Sequence, residues 1–168
     1  MMKMTRLFSA LWGVILLIDA ANANEHYLLP DNRSDLLHTM QQKIERAGSV
    51  TIITQELKEP ALTRSIEKAL RKGTRLHLIT GDLESAAFFA KYRNTRVSVP
   101  ASGRIGEKFA LNILIIDKSD ACFSGVAFSE AALGSNIGEV TCTTDQEDVG
   151  FAEEIGKRFT QRFEAYER

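Results

Sequence analysis

The chain has 168 residues, and its 21 lysines and arginines against 22 aspartates and glutamates give a formal net charge of −1 at pH 7. A near-neutral protein has no overall attraction for nucleic acid or for an anionic membrane, so any phosphate binding must come from a local cluster of cations. The length suits one domain with its own core, and no repeat or low-complexity tract divides it.

Residues 1–23 have the pattern of a secretory signal peptide. A cationic start precedes an apolar run from Leu7 to Ile18, and small residues lead to the end of the segment at Ala23. The run is short for a bilayer span and no stop-transfer pattern follows it, which favours cleavage near Ala23 over a retained anchor. We therefore expect a periplasmic or secreted domain over 24–168, with no stable membrane span after cleavage.

The first half of this domain predicts helices and strands in alternation. Apolar residues recur at helical spacing between Asn32 and Gly48, and the β-branched segment Ser49–Thr54 predicts a buried strand. Pro60 and Gly73 mark the start and the end of a second helix, and Arg75–Thr80 predicts the next strand. Alternation with connections this short indicates parallel strands joined by crossover helices.

The second half predicts antiparallel pairing. Its elements, in order, are a strand over Phe109–Asp117, a turn over Lys118–Asp120, a returning strand over Ala121–Val126, a short helix over Ser129–Leu133, a strand over Gly138–Thr144 and a closing helix over Gln146–Tyr166. The first two strands make a hairpin. The predicted fold is therefore an α/β domain with a mixed, mostly parallel sheet flanked by helices on both faces.

This order of elements, together with three stretches of sequence, resembles the single-copy phospholipase D-like endonucleases that bacteria export. Two stretches are SVTIIT and ALTRSIEKALRKGTRLHLIT, and the most specific is FALNILIIDKSDACFSG followed by ALGSNIGEV. In that family the strand carries His-x-Lys-x-x-x-x-Asp, the returning strand ends in Gly-Ser-x-Asn, and a Glu begins the strand after the next helix. The resemblance implies a phospholipase D-like half-unit over 24–168.

The two catalytic positions of that motif are changed in this chain. Anchoring the motif on Asp117 places Asn112 at the Lys position and Ala110 at the His position. In the family's chemistry one imidazole attacks phosphorus, a second protonates the leaving oxygen, and the Lys stabilises the developing negative charge. A methyl group can perform neither imidazole step, so the resemblance implies a catalytically degenerate domain.

The motif positions after the turn are partly retained. Gly125 fits the family's Gly and Glu139 keeps its acid, whereas Val126 and Phe128 take the Ser and Asn places. Asp117 and Glu139 orient and buffer the histidines in the family, so without imidazole we interpret both as hydrogen-bonding structural residues.

Three residues are candidates for phosphate binding. Asn112 can still donate a neutral hydrogen bond, Arg104 lies in the glycine-containing segment 102–106, and Lys108 precedes the strand. The alternatives for the last two are an ordinary loop and a solvated lysine.

The three histidines are dispersed along the chain, at His26, His38 and His77. Because they lack paired spacing, we expect neither a metal site nor a cofactor. His77 lies within a predicted strand and is expected to be a hydrogen-bonded structural residue.

A basic run on the second helix is expected to form a solvated face, and it consists of Arg64, Lys68, Arg71 and Lys72.

Cys122 and Cys142 are the two cysteines of the chain. An oxidising compartment allows a disulfide, and two small buried hydrophobic side chains are the alternative. In the arrangement that the resemblance implies, the returning strand and the Glu strand run antiparallel. If Gly125 then lies opposite Glu139, Cys122 lies opposite Cys142.

The resemblance also implies a homodimer, because one motif copy supplies half of a two-fold site. Our leading hypothesis is a degenerate phospholipase D-like protein that acts as a binding or assembly module, with a phosphodiester or nucleic acid as the ligand class. The first alternative is an active phosphodiesterase or endonuclease whose site is rebuilt from His77, Asn112, Arg104 or Glu139. The second alternative is a scaffold for a protein partner, with the ancestral cleft filled in.

Overall fold

The computed structural model describes residues 24–101 and 110–166. The predicted signal peptide over 1–23 and the candidate cations Arg104 and Lys108 lie outside these residues. No helix within the two described ranges is both long enough and apolar enough to cross a membrane.

Five helices and ten strands form within the described residues. The helices are α1 (Arg33–Arg46), α2 (Pro60–Arg71), α3 (Leu83–Ala90), α4 (Glu130–Ser135) and α5 (Gln146–Arg162). The strands are β1 (Glu25–Leu29), β2 (Ser49–Thr54), β3 (Leu57–Lys58), β4 (Arg75–Thr80), β5 (Thr95–Pro100), β6 (Asn112–Ile116), β7 (Asp120–Ser124), β8 (Phe128–Ser129), β9 (Gly138–Thr143) and β10 (Phe163–Ala165).

Eight strands form one sheet in the order β1-β9-β7-β6-β2-β4-β5-β10, and β3 pairs with β8 in a small second sheet. In the large sheet β4 runs parallel to both β2 and β5, and the other pairings are antiparallel. The predicted mixed α/β sheet is confirmed. It is less parallel than the sequence predicts, because the hairpin and both edge strands add antiparallel pairings.

Helices cover both faces of the large sheet, as predicted. On the face that we call the first face, α1, α2 and α3 bury apolar side chains such as Met40, Ile66 and Phe89 against alternate sheet residues. On the opposite, second face, α5 buries Val149 and Ala152 against isoleucines of β2, β4 and β6. Each large buried side chain contributes about 1.5–3 kcal/mol to folding, so the two clusters supply the main driving force.

The local predictions in the first half are confirmed closely. The strands Ser49–Thr54 and Arg75–Thr80 have the predicted bounds, Pro60 opens α2, and Gly73 ends it at a positive φ of 101°. The closing helix is shorter than predicted. It ends at Arg162 because the chain becomes extended there, and Phe163 begins a strand that pairs with the free edge of β5.

A buried ion pair connects α1 with the start of α2. Arg33 Nη2 donates to Glu59 Oε2 at 2.8 Å, and the Glu59 side chain is only 3% exposed. The other Glu59 oxygen accepts from the Ala61 backbone and caps α2, while the Glu59 backbone N–H donates to Phe128 O. This single residue therefore positions both α2 and β8.

Cys122 and Cys142 form a disulfide, and they lie directly opposite each other where β7 pairs antiparallel with β9. The predicted pairing is confirmed. The bond closes a loop with a sequence separation of 20 residues that includes α4.

Replacing both cysteines by alanine is expected to lower the free energy of unfolding by about 3 kcal/mol, because the open chain gains entropy when unfolded. Denaturant unfolding of the oxidised protein measures this loss. Reduced wild-type protein is the control and should lose a similar amount. Labelling of both thiols in unreduced, unfolded protein would contradict the disulfide.

Candidate functional site

Asn112, which the sequence resemblance assigns to the Lys position of the motif, is buried at the start of β6 on the first face. Its Oδ1 accepts from Thr54 Oγ1 at 2.8 Å and from the Gln55 backbone at 3.3 Å, and its Nδ2 donates to Ser124 O at 3.5 Å. Only 2% of the residue is exposed. The Asn112 amide, which the sequence analysis names as a candidate for phosphate binding, is therefore hydrogen-bonded within the protein.

Three other described residues that the resemblance assigns to the motif provide no catalytic group in the place of Asn112. Ala110 is exposed just before β6, and Phe128 is 1% exposed within the first-face core. Val126 lies so close to β9 that a Cβ added to Gly138 would be 3.1 Å from Val126 Cγ1. We call Ala110, Asn112, Val126 and Phe128 the motif cluster. None of these four side chains can attack phosphorus or transfer a proton.

The structure does not bring Glu139 to the motif cluster. Val140 and Cys142 pack in the first-face core, so Glu139 and Thr141, at alternate positions of β9, point to the second face. There Glu139 Oε1 lies 2.7 Å from His26 Nδ1, and the two side chains are 54% and 56% exposed. The chain therefore keeps an acid at the Glu position of the sequence motif but directs it away from Asn112.

His26 is a residue that the sequence reasoning missed as a partner of this acid. It lies in β1, which pairs antiparallel with β9 and places His26 opposite Thr141. The alternating segment EHYLL was the available signal for an edge strand, but nothing local specifies which strand it joins.

Asp117 has a structural position at the other end of β6. Its Oδ1 accepts from the backbone N–H groups of Gly48 and Ser49 at 2.9 and 2.7 Å, and its backbone adopts a positive φ of 50°. These bonds fix the first residues of β2 against the end of β6. The geometry agrees with the interpretation of Asp117 as a hydrogen-bonding structural residue.

Gly125 lies opposite Glu139, as the predicted pairing of Cys122 with Cys142 requires. Its backbone N–H donates to Glu139 O at 3.5 Å, and this contact continues the antiparallel register of β7 and β9 by one more residue.

A separate cleft of about 810 Å³ opens on the second face. It lies at the amino ends of β2, β4 and β5, whereas Asn112 contacts the carboxyl end of β2.

His77 lines the cleft, and its Nε2 is 3.2 Å from Ser98 Oγ. Burial, with a smaller contribution from the charge of Arg96, lowers the pKa of His77 from 6.5 to about 4. The imidazole is therefore neutral at neutral pH.

Two further sequence expectations concern surface charge and metals. The basic run of α2 is exposed, and Lys68 within it pairs with Glu45 on α1. Across residues 24–101 and 110–166, no three histidine, cysteine or acidic side chains lie close enough together to hold a metal ion.

Comparison with known proteins identifies the fold. No family profile and no curated protein sequence matches the chain. Among solved structures it is similar to NucT from Helicobacter pylori, with a TM-score of 0.74 and 20% identity over 86% of this chain and 99% of that chain. It is also similar to Nuc from Salmonella typhimurium, a phospholipase D family member, with a TM-score of 0.69 and 12% identity over 87% and 99%.

A third similar structure is phosphatidylserine synthase from Haemophilus influenzae, with a TM-score of 0.65 and 14% identity over 78% of this chain and 37% of that chain. These similarities show that the fold is phospholipase D-like, as the sequence resemblance implies.

Substituting Asp117→Ala is expected to lower the free energy of unfolding by about 1–3 kcal/mol, because two backbone N–H groups lose their acceptor. Asp117→Asn keeps one side-chain oxygen and should lose less. Chemical denaturation of the three proteins gives the comparison. Equal stability of wild type and Asp117→Ala would show that these hydrogen bonds contribute nothing.

Proposed function

We propose that this phospholipase D-like domain is an exported, catalytically inactive protein that acts as a binding or assembly module. The observation that carries the proposal is the state of Asn112, whose amide is buried and hydrogen-bonded to Thr54, Gln55 and Ser124. A phosphoryl oxygen reaches that amide only by displacing protein groups. The position that holds the charge-stabilising Lys in active relatives is thus a structural residue in this domain.

The surroundings of Asn112 support the same proposal. Phosphodiester cleavage by this fold needs a nucleophile and a proton donor, and Ala110 supplies a methyl group. Phe128 is fully packed, and its backbone N–H donates to Thr54 Oγ1, which in turn donates to Asn112. Because these groups form one connected network, a substrate cannot enter without breaking several contacts together.

Assembly is proposed through a second copy of the chain. Ile137 is 94% exposed and precedes Gly138, which contacts Val126 of the motif cluster. Leu28 is 61% exposed, and its neighbour Leu29 pairs with Gly138. Exposed apolar side chains at the end of the sheet that carries the motif cluster suit a two-fold interface, because such an interface uses the same patch on both subunits.

The purified protein is expected to cleave a chromogenic phosphodiester no faster than a heat-killed control, because the motif cluster has no nucleophile. The double substitution Ala110→His with Asn112→Lys should also stay inactive, since Val126 and Phe128 give the new side chains no polar support. Initial rates at neutral pH measure both. Clear turnover by the wild-type protein would overturn the proposal.

A second candidate function is a phosphodiesterase rebuilt on the second face. The observation that favours it is the 2.7 Å contact between His26 Nδ1 and Glu139 Oε1, since a carboxylate that orients an exposed imidazole can support nucleophilic or base chemistry. The same assay tests it with His26→Ala, His77→Ala and the surface control His38→Ala. Wild-type turnover that only His26→Ala or His77→Ala abolishes would identify the rebuilt site.

The protein is expected to be a homodimer in solution, and Leu28→Asp with Ile137→Asp should convert it to a monomer by placing charges in the apolar interface. Light scattering across a dilution series measures the mass. Leu83→Asp is the matched control, because Leu83 is 48% exposed and begins α3, which contacts β4, and three strands lie between β4 and β9. A monomeric wild type at every concentration would exclude the dimer.

A further inference from the structure

The cleft of about 810 Å³ on the second face has a cationic lining that the proposed function does not use. Strand register places Thr51, His77 and Arg96 side by side across β2, β4 and β5. Opposite them, α5 contributes Gly156 and Lys157. The cleft therefore lies between the sheet and α5, and its shape depends on regular elements that the core holds in place.

Positive charge is in excess at this cleft although the chain as a whole has a net charge of −1. The basic lining residues are Arg75, Arg93, Arg96, Lys118 and Lys157, and the acidic ones are Asp117 and Glu153. Asp117 is hydrogen-bonded to the start of β2, and Glu153 lies 3.6 Å from Lys118. Within the part of the chain that the structure describes, the three arginines and Lys157 make no ion pair.

These cations lie close together because of strand geometry. Arg75 and His77 are alternate residues of β4 and share the second face, while Arg96 is the register partner of His77 on β5. Two guanidinium groups therefore flank one imidazole. Planar guanidinium groups bind phosphate oxygens in pairs, and a neutral imidazole adds a hydrogen bond without adding charge.

The lining also limits the kind of ligand. The volume of about 810 Å³ lies in the range of small-molecule sites, about 300–1,000 Å³. Among the described residues no Phe, Tyr or Trp side chain lines the cleft, so these residues offer no large aromatic surface on which a nucleobase could stack. Recognition must then come from charge and hydrogen bonds.

We infer that the second-face cleft binds a small molecule carrying two or more phosphate groups, with Arg75, Arg96 and Lys157 as its principal contacts. The ligand lies on the opposite sheet face from the motif cluster. Binding therefore requires neither phosphodiester cleavage nor any change at Asn112.

Calorimetric titration of the purified protein with pyrophosphate tests the inference, with sulfate at matched ionic strength as the comparison anion. We expect pyrophosphate binding to saturate. The double substitution Arg75→Gln with Arg96→Gln should raise the dissociation constant by about 100-fold, because two charge-assisted contacts are lost. The matched control is Arg64→Gln with Lys72→Gln, which removes the same charge from the exposed face of α2. It should weaken binding by less than about threefold, because the solvent screens distant charges.

Histidine NMR of the wild-type protein gives a second measurement that requires no variant to fold. Bound phosphate close to the imidazole should raise the pKa of His77 from about 4 and shift its ring signals, while those of His38 stay unchanged. The inference is overturned if pyrophosphate does not saturate, if sulfate binds equally well, if the α2 control loses as much affinity as the cleft variant, or if the His77 signals do not respond.

Discussion

The antiparallel register of β7 and β9 is the constraint on which the rest of the structure depends. It places Cys122 opposite Cys142, where a disulfide fixes it, and it directs Val140 into the first-face core. A register shift of one residue would exchange the faces of every side chain on β9. The same pairing therefore determines that Glu139 points to the second face and that Gly138 lies beside Val126.

A phospholipase D-like fold does not by itself specify the chemistry of the family that the sequence resembles. Function depends on the groups at a site and not on the fold that carries them. In this domain, Asn112 is hydrogen-bonded to Thr54, and Phe128 packs in the core beside the small sheet of β3 and β8. A network of backbone and side-chain hydrogen bonds therefore engages the amide of Asn112.

The two ends of the large sheet have different chemical character. At the end with the motif cluster, the exposed side chains include the apolar Leu28 and Ile137. At the other end, Asp117 holds the start of β2, and unpaired arginines surround His77. Burial at this end keeps His77 neutral, which leaves the positive charge to the guanidinium groups.

By itself, the sequence determined the elements whose signals are local. The bounds of β2 and β4 and the ends of α2 follow from β-branched runs, Pro60 and Gly73. The residues at 110 and 112 carry the prediction that the catalytic side chains are lost. Only the tertiary structure decided the edge strands β1 and β10, the pairing of His26 with Glu139, and the grouping of arginines around the cleft. These features depend on strands that are distant in sequence, and the free energy of such pairings comes from packing that no local segment contains.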